Sequence, residues 1–213
     1  MPDFTFDCSG VAPHRYAIAP TLLFGLKIGE GSGARVHSIS LQCQLRIEPQ
    51  RRGYTAGEAE RLHDLFGDRS RWGETLKPLQ FANVSLVVRG FTGSTVAEMP
   101  VPCTYDFEVA AAKYLHALRD GEIPFLLLFS GTAFYQGESG MQIEQIPWDR
   151  EVPVRVPVAT WREMMNISFP NQGWLRVHTD TLDALQLFKS RNALPDWDAA
   201  VSTLLDRAGE RPR

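Results

Sequence analysis

The sequence predicts an α+β protein, an antiparallel β-sandwich or bent sheet with inserted helices and a helical C-terminal region. Three observations carry this. From His37 to Glu48 apolar and polar residues alternate almost without error, which puts Ile39, Leu41, Cys43, Leu45 and Ile47 on one face of a strand. Other strand-like runs fall before residue 158, and helical spacing takes over after it. The regular strand–helix alternation that a doubly wound parallel sheet needs is missing.

Phe4 to Ser9 reads as a first strand ending at Gly10. In Thr21 to Ile28, Leu22, Phe24, Leu26 and Ile28 share a face. The glycine-rich turn Gly29 to Gly33 lies between this run and the long alternating one, which predicts a hairpin. A phosphate-cradling loop would lead into a helix and a Gly-Lys-Ser/Thr, and neither is present. Thr55-Ala56-Gly57-Glu58 is a capping box, with Ala59, Leu62, Leu65 and Phe66 as the buried stripe and Gly67 as the stop. Strands resume at Asn83 to Val88, turn at Gly90 to Thr95, and return through Val96 to Tyr105.

Phe107, Ala110, Ala111, Tyr114, Leu115 and Leu118 have helical spacing behind a candidate cap, Asp106, although Val109 leaves a continued strand open. Ile123 to Ser130 is nearly unbroken apolar sequence and suits a strand buried on both sides. Met141 to Ile146 and Val152 to Val156 read as shorter strands around Pro147-Trp148-Asp149. Thr160-Trp161-Arg162-Glu163 reads as a second capping box, opening a helix to about Ile167; Thr181 to Arg191 and Pro195 to Leu205 are further helices. The expected organisation is a β-rich core over 1–158 with inserted helices at about 55–66 and 106–119. A helical region over 159–207 packs on it, and a frayed tail spans 208–213.

Of the 213 residues 44% are hydrophobic, enough for a sizeable core. A net charge of -3 argues against a dedicated nucleic-acid binder, and the basic residues Arg61, Arg69 and Arg71 are interspersed with acidic ones. The N-terminus lacks a basic segment leading into an apolar one, so no signal peptide is expected, and the run Phe125 to Phe129 is far too short for a membrane span. Cys8, Cys43 and Cys103 are odd in number and widely separated, which fits reduced thiols in a cytoplasmic protein.

Chemistry is harder to find. The five histidines and three cysteines show no zinc-ligand spacing, and no metal or cofactor is expected. Gly137-Glu138-Ser139-Gly140 and Ser130-Gly131-Thr132 read as turns, since neither fits a nucleophile elbow. Asp106, Glu108, Glu144 and Asp149 lie near aromatic residues, and a suitably separated pair could do acid–base work. The best candidate for a specific surface is the outward row of the long strand together with the basic residues just past its end: Gln42, Gln44, Arg46, Glu48, Arg51 and Arg52. Arg46 and Glu48, two apart on that face, are positioned to pair with each other. In Phe169-Pro170-Asn171-Gln172-Gly173-Trp174 a sharp turn presents Trp174, a residue type that anchors cores and dominates interfaces.

Taken together, Leu41 to Arg52, Gly90 to Thr95, Val101 to Val109, Phe129 to Thr132, Phe169 to Trp174 and Asp180 to Leu185 resemble a bacterial family, domain of unknown function 6084. The resemblance transfers no catalytic residue. It implies a genetic setting beside nickel-iron hydrogenases of the high-affinity type. A non-catalytic accessory protein is therefore expected, with hydrogenase subunits or maturation factors as partners. Two alternatives stay open: an enzyme in which at least two of Asp106, Glu108, Glu144, His37 and Cys43 converge, and a small-ligand or metal carrier.

Overall fold

Period-two alternation becomes two antiparallel sheets whose apolar rows face each other. The computed structural model describes residues 2–104, 106, 109–138, 140–173 and 175–210. One sheet holds β1 (Phe4–Pro13), β2 (Thr21–Glu30) and β5 (Ser94–Pro102) in the order β1-β2-β5. The other holds β3 (Arg35–Ile47), β4 (Leu79–Thr92), β6 (Glu122–Gly137) and β7 (Gly140–Pro157) in the order β4-β3-β6-β7. Leu22, Phe24, Leu26 and Ile28 of β2 and Ile39, Leu41, Leu45 and Ile47 of β3 are all fully buried. Each such side chain contributes about 1.5–3 kcal/mol of transfer free energy. Aromatic rings bridge the sheets: Phe6 stacks on Phe129 at 4.6 Å, and Phe24 meets Phe125 edge-on at 5.9 Å.

The expected β2–β3 hairpin is not formed. β2 pairs with β1 and β5, while β3 pairs with β4 and β6, so the glycine-rich segment carries the chain from one sheet to the other. Both runs turn a complete apolar row inward, a pattern that suits strands side by side as well as face to face, and here the two rows are buried against each other across the core. Glu30, 5% exposed, fixes this corner by accepting from Asp3 N (3.2 Å), Ser32 N (2.8 Å) and Ser32 Oγ (2.6 Å). The link between β4 and β5 is a second change of sheet, at Gly93 (φ 75°), and Gly93 O accepts from Glu30 N at 2.6 Å. The two corners are thus tied together.

Several boundaries move. β1 runs on through Gly10, paired with Gly25 just past a bulge at Ser9, and does not end there. Ser130-Gly131-Thr132 lies within β6 and is not a turn, whereas Gly137 and Gly140 do flank the β6–β7 turn. The two short strands around Pro147-Trp148-Asp149 are one strand, β7, with an irregularity between them. β6 is interior to its sheet, and Phe125, Leu126 and Leu127 are buried on it as the unbroken apolar run predicts.

The capping box at Thr55 is formed in both directions and opens α1 (Ala56–Arg61), after which come α2 (His63–Phe66), which ends on Gly67, and α3 (Trp72–Thr75). The helix expected over 106–119 is shorter: α4 spans Ala110–Ala117 with Val109 as its N-cap, so Asp106 does not cap it. Tyr105, Phe107 and Glu108 lie outside the described residues. α5 (Val158–Ser168) starts two residues before the predicted capping box. Val158 N finds its acceptor in Gly121 O (2.9 Å), so Thr160 is not needed as a cap, and Glu163 pairs with Arg15 instead.

The chain divides into two compact units, Met1–Trp174 and Leu175–Arg213, with α5 in the first. The second holds α6 (Thr179–Arg191) and α7 (Trp197–Ala208), the latter capped by Asp196 at one end and by left-handed Gly209 at the other. Among the described residues no helix is long and apolar enough to cross a membrane.

Candidate functional site

The outward row of β3 forms the floor of a groove of about 900 Å³ on the outer face of the four-stranded sheet. Register decides what stands beside each residue. Gln42 lies opposite Ser85 on β4 and Ser130 on β6; Gln44 lies opposite Asn83 and Leu128. Arg46 faces Leu126 on one side and, across a bulge at Phe81, Gln80 on the other. Between the pairs Phe129–Arg150 and Gly131–Ile146 a single residue of β6 faces three of β7. That excess ejects Pro147-Trp148-Asp149 from the ladder, and Trp148 borders the groove at 85% exposure.

The groove's polar groups are ordered by one another. Arg46 Nη2 donates to Gln44 Oε1 (3.3 Å), Gln44 Nε2 to Gln80 Oε1 (2.6 Å), and Gln80 Nε2 to Asn83 Oδ1 (3.3 Å). Gln42, Asp149 and Glu151 line the same groove and make no side-chain hydrogen bond among the described residues, leaving their donors and acceptors open to a ligand. The arrangement offers a guanidinium, two carboxylates, several amides and hydroxyls, and one large ring. Such a set recognises by directional hydrogen bonding and ring burial, and it presents no activated nucleophile. The nearest thiol, Cys43, points into the core, 1% exposed, and burial pushes it up to about 12, so it stays protonated.

Of the residues singled out from the sequence, the structure gathers Gln42, Gln44 and Arg46 in the groove, together with Asp149 from the carboxylate candidates, and places Glu48, Arg51 and Arg52 outside it. Glu48 lies just past the end of β3, is 6% exposed and pairs with Arg51, so the expected Arg46–Glu48 pair is replaced by Arg46–Gln44. Arg52 is turned inward, to Glu58 Oε1 (3.0 Å) and to the carbonyls of Asp120 (3.2 Å) and Glu122 (3.4 Å). Trp174 lies outside the described residues. For the enzymatic alternative, His37 Nε2 sits 3.3 Å from Gln136 Oε1, Cys43 is in the core, and Glu144 on β7 is paired in register with Ala133 on β6. No hydrogen bond or ion pair joins any two of these three, and Glu108 is not among the described residues. Among the described residues no three His, Cys, Asp or Glu side chains are grouped to hold a metal ion.

Sequence reasoning did not single out Trp148, Asp149 and Glu151 as groove residues. A signal was present: Pro-Trp-Asp interrupts two alternating runs that continue the same strand.

A family model described as a family of unknown function (DUF6084) matches residues 1–213. No curated protein matches. Among solved structures, a protein described as late embryogenesis abundant (LEA) aligns at 12% identity and a TM-score of 0.35, covering 74% of this chain and 72% of its own. A protein from Bordetella pertussis described as ApaA aligns at 12% identity and a TM-score of 0.25, covering 73% of this chain and 94% of its own. At these values neither likeness carries an argument about function.

Proposed function

The chain belongs to the DUF6084 family, and from that premise we propose that it is a non-catalytic accessory protein that grips a protein partner in the groove over β3. The observation that carries this reading is the pairing of an 85%-exposed Trp148 with the uncommitted amide of Gln42 in one concavity. An indole at the rim of a polar recess is the kind of anchor that supplies most of the energy of an interface, while ordered amides around it set direction and register. The Gln44–Gln80–Asn83 chain is held in place before binding, so less side-chain entropy is lost on docking.

The process we assign is assembly or maturation of a nickel-iron hydrogenase in the cytoplasm, with hydrogenase subunits or maturation factors as partners; the family resemblance supports this assignment. The free state of Cys8, Cys43 and Cys103 is compatible with a reducing compartment. The test is affinity capture from the native host with the full chain, comparing wild type with Trp148→Ala and with the double variant Gln42→Ala/Gln44→Ala. A hydrogenase subunit or maturation factor enriched by wild type and lost from both variants supports the reading. Equal recovery by all three, or no such protein with any of them, overturns it.

A further inference from the structure

A second hollow, of about 340 Å³, lies beside α4 and α5 and shares no lining residue with the groove. Arg119, Trp161, Arg162, Asn166 and Gln172 line it, with His116. Its positive charge is poorly balanced. Arg162 is close enough to Arg119 and Arg61 that, after burial, these two guanidiniums lower its proton affinity further. The carboxylate whose field opposes them is Glu58, and Glu58 is already engaged by Arg52 (3.0 Å), Arg119 N (2.9 Å) and Thr55 N (3.0 Å). Among the described residues none of Arg61, Arg119 and Arg162 has a carboxylate partner.

Part of this cluster has a structural purpose. Arg61 Nε donates to Ala117 O (3.1 Å) and Arg162 Nη2 to Leu118 O (2.6 Å), so both guanidiniums satisfy carbonyls at the C-terminal end of α4. That purpose leaves three things unexplained. The Arg119 side chain is exposed and makes no hydrogen bond among the described residues. Arg162 Nε–H has no acceptor, and neither has the indole N–H of Trp161, a side chain only 3% exposed. Buried donors without acceptors are rare in folded proteins because each forfeits its hydration.

We infer that this hollow is a binding site for a phosphate group, held by Arg119 and Arg162 and bordered by the Trp161 indole and the side-chain amides of Asn166 and Gln172. One ligand of this kind would relieve the mutual repulsion of the guanidiniums and supply acceptors to donors that have none. Donors around the hollow come from two guanidiniums, an indole and the three amides of Asn166, Asn171 and Gln172, which suits the several oxygens and higher charge of a tetrahedral oxyanion better than a planar carboxylate. The phosphate is either free in solution or the phosphoryl group of a small solute, and the volume leaves room for more than the phosphate alone.

The test monitors the indole N–H signals of the ¹⁵N-labelled full chain at low ionic strength, with the Trp161 signal identified by its loss in Trp161→Phe. Inorganic phosphate, adenosine monophosphate, sodium acetate and sodium chloride are titrated at matched ionic strength. The expected result is saturable movement of the Trp161 signal with a phosphate-bearing probe, half-complete at millimolar concentration or below, and little movement with acetate or chloride. Tighter binding of the nucleotide assigns the phosphoryl group of a larger solute, and tighter binding of inorganic phosphate assigns the free ion. Arg119→Gln, at an exposed position and expected to keep the wild-type circular dichroism, is expected to weaken binding at least ten-fold, and Arg35→Gln to leave it unchanged. Movement that is absent, equal with acetate, or undiminished in Arg119→Gln overturns the inference.

Discussion

Arg52 Nη2 lies 3.0 Å from Glu58 Oε1, and the two side chains keep only 9% and 2% of their exposure. The guanidinium also stacks over the Tyr54 ring at 5.0 Å and reaches the carbonyls of Asp120 and Glu122, so one arginine joins α1 to the start of β6. Removing one partner strands the other in a poorly hydrated site. Arg52→Ala and Glu58→Ala are each expected to destabilise the protein by about 3–5 kcal/mol, and Arg52→Met/Glu58→Met by less than either single change. Urea unfolding of the three variants checks the order.

Acid is expected to weaken the fold first through one histidine and then through two carboxylates. Burial alone would raise the pKa of Glu58, but hydrogen bonds from Arg119 N and Thr55 N, together with Arg52, hold it below the ordinary carboxylate value; Glu30 is held low in the same way by Ser32 and Asp3. A carboxylate with a depressed folded-state pKa contributes stability above its unfolded value and loses it as the pH falls through the folded one. Stability from these two groups is therefore expected to hold down to about pH 4.5 and to fall below that. Glu30→Gln and Glu58→Gln should each flatten that limb in urea unfolding measured from pH 3 to 7.

His116 acts earlier. Burial, then Arg162, lower its pKa to about 4, so the folded state resists a proton that the unfolded chain accepts near 6.5. Its contribution is complete above the unfolded value and is lost as the pH drops from 6.5 towards 4. NMR titration should show the His116 ring still neutral at pH 5.5.

Burial pushes the thiols of Cys43 and Cys103 up to about 12 and raises that of half-buried Cys8 by less. At pH 8 a thiol reagent is expected to modify Cys8 alone, slowly, and all three cysteines once urea is added. A colorimetric thiol count in both conditions decides it.

Gly131 is held at φ +151°, where a Cβ would sit 2.2 Å from Ser40 O and 3.1 Å from Leu41 Cα. The neighbour is backbone of an adjacent strand, which cannot swing aside as a side chain would. Gly131→Ala is expected to cost at least about 3 kcal/mol, whereas Trp148→Ala, at an exposed position, should stay within about 0.5 kcal/mol. Thermal unfolding of the two variants separates a residue the fold needs from one it merely displays.

Strand positions were legible from the chain because a half-buried strand writes its inner row every second residue, as Leu22 to Ile28 and Ile39 to Ile47 do. The capping box at Thr55 was legible because both of its hydrogen bonds are local. Sheet membership was not, since the inner rows of β2 and β3 look alike whether the strands lie side by side or face to face. The groove was half legible. Gln42, Gln44 and Arg46 could be placed by parity, but Trp148 reaches it only through a register shift between β6 and β7, a long-range property. Arg52 looked like a surface charge because its partner, Glu58, is enclosed by elements that come together only in three dimensions.

The two corners tied by Glu30 and Gly93 also bear on how the chain reaches its final form. Strands are dealt to the sheets in turn, so β2 must wait for β5, and β3 for β6, before either sheet is complete. A nascent chain released as far as Thr92 would carry the apolar rows of β2 and β3 with open flanks, a template for coalescence with other chains. Acquisition of structure is accordingly expected to be slow and all-or-none, and C-terminal truncations into β6 or β7 to yield inclusion bodies, not smaller working modules.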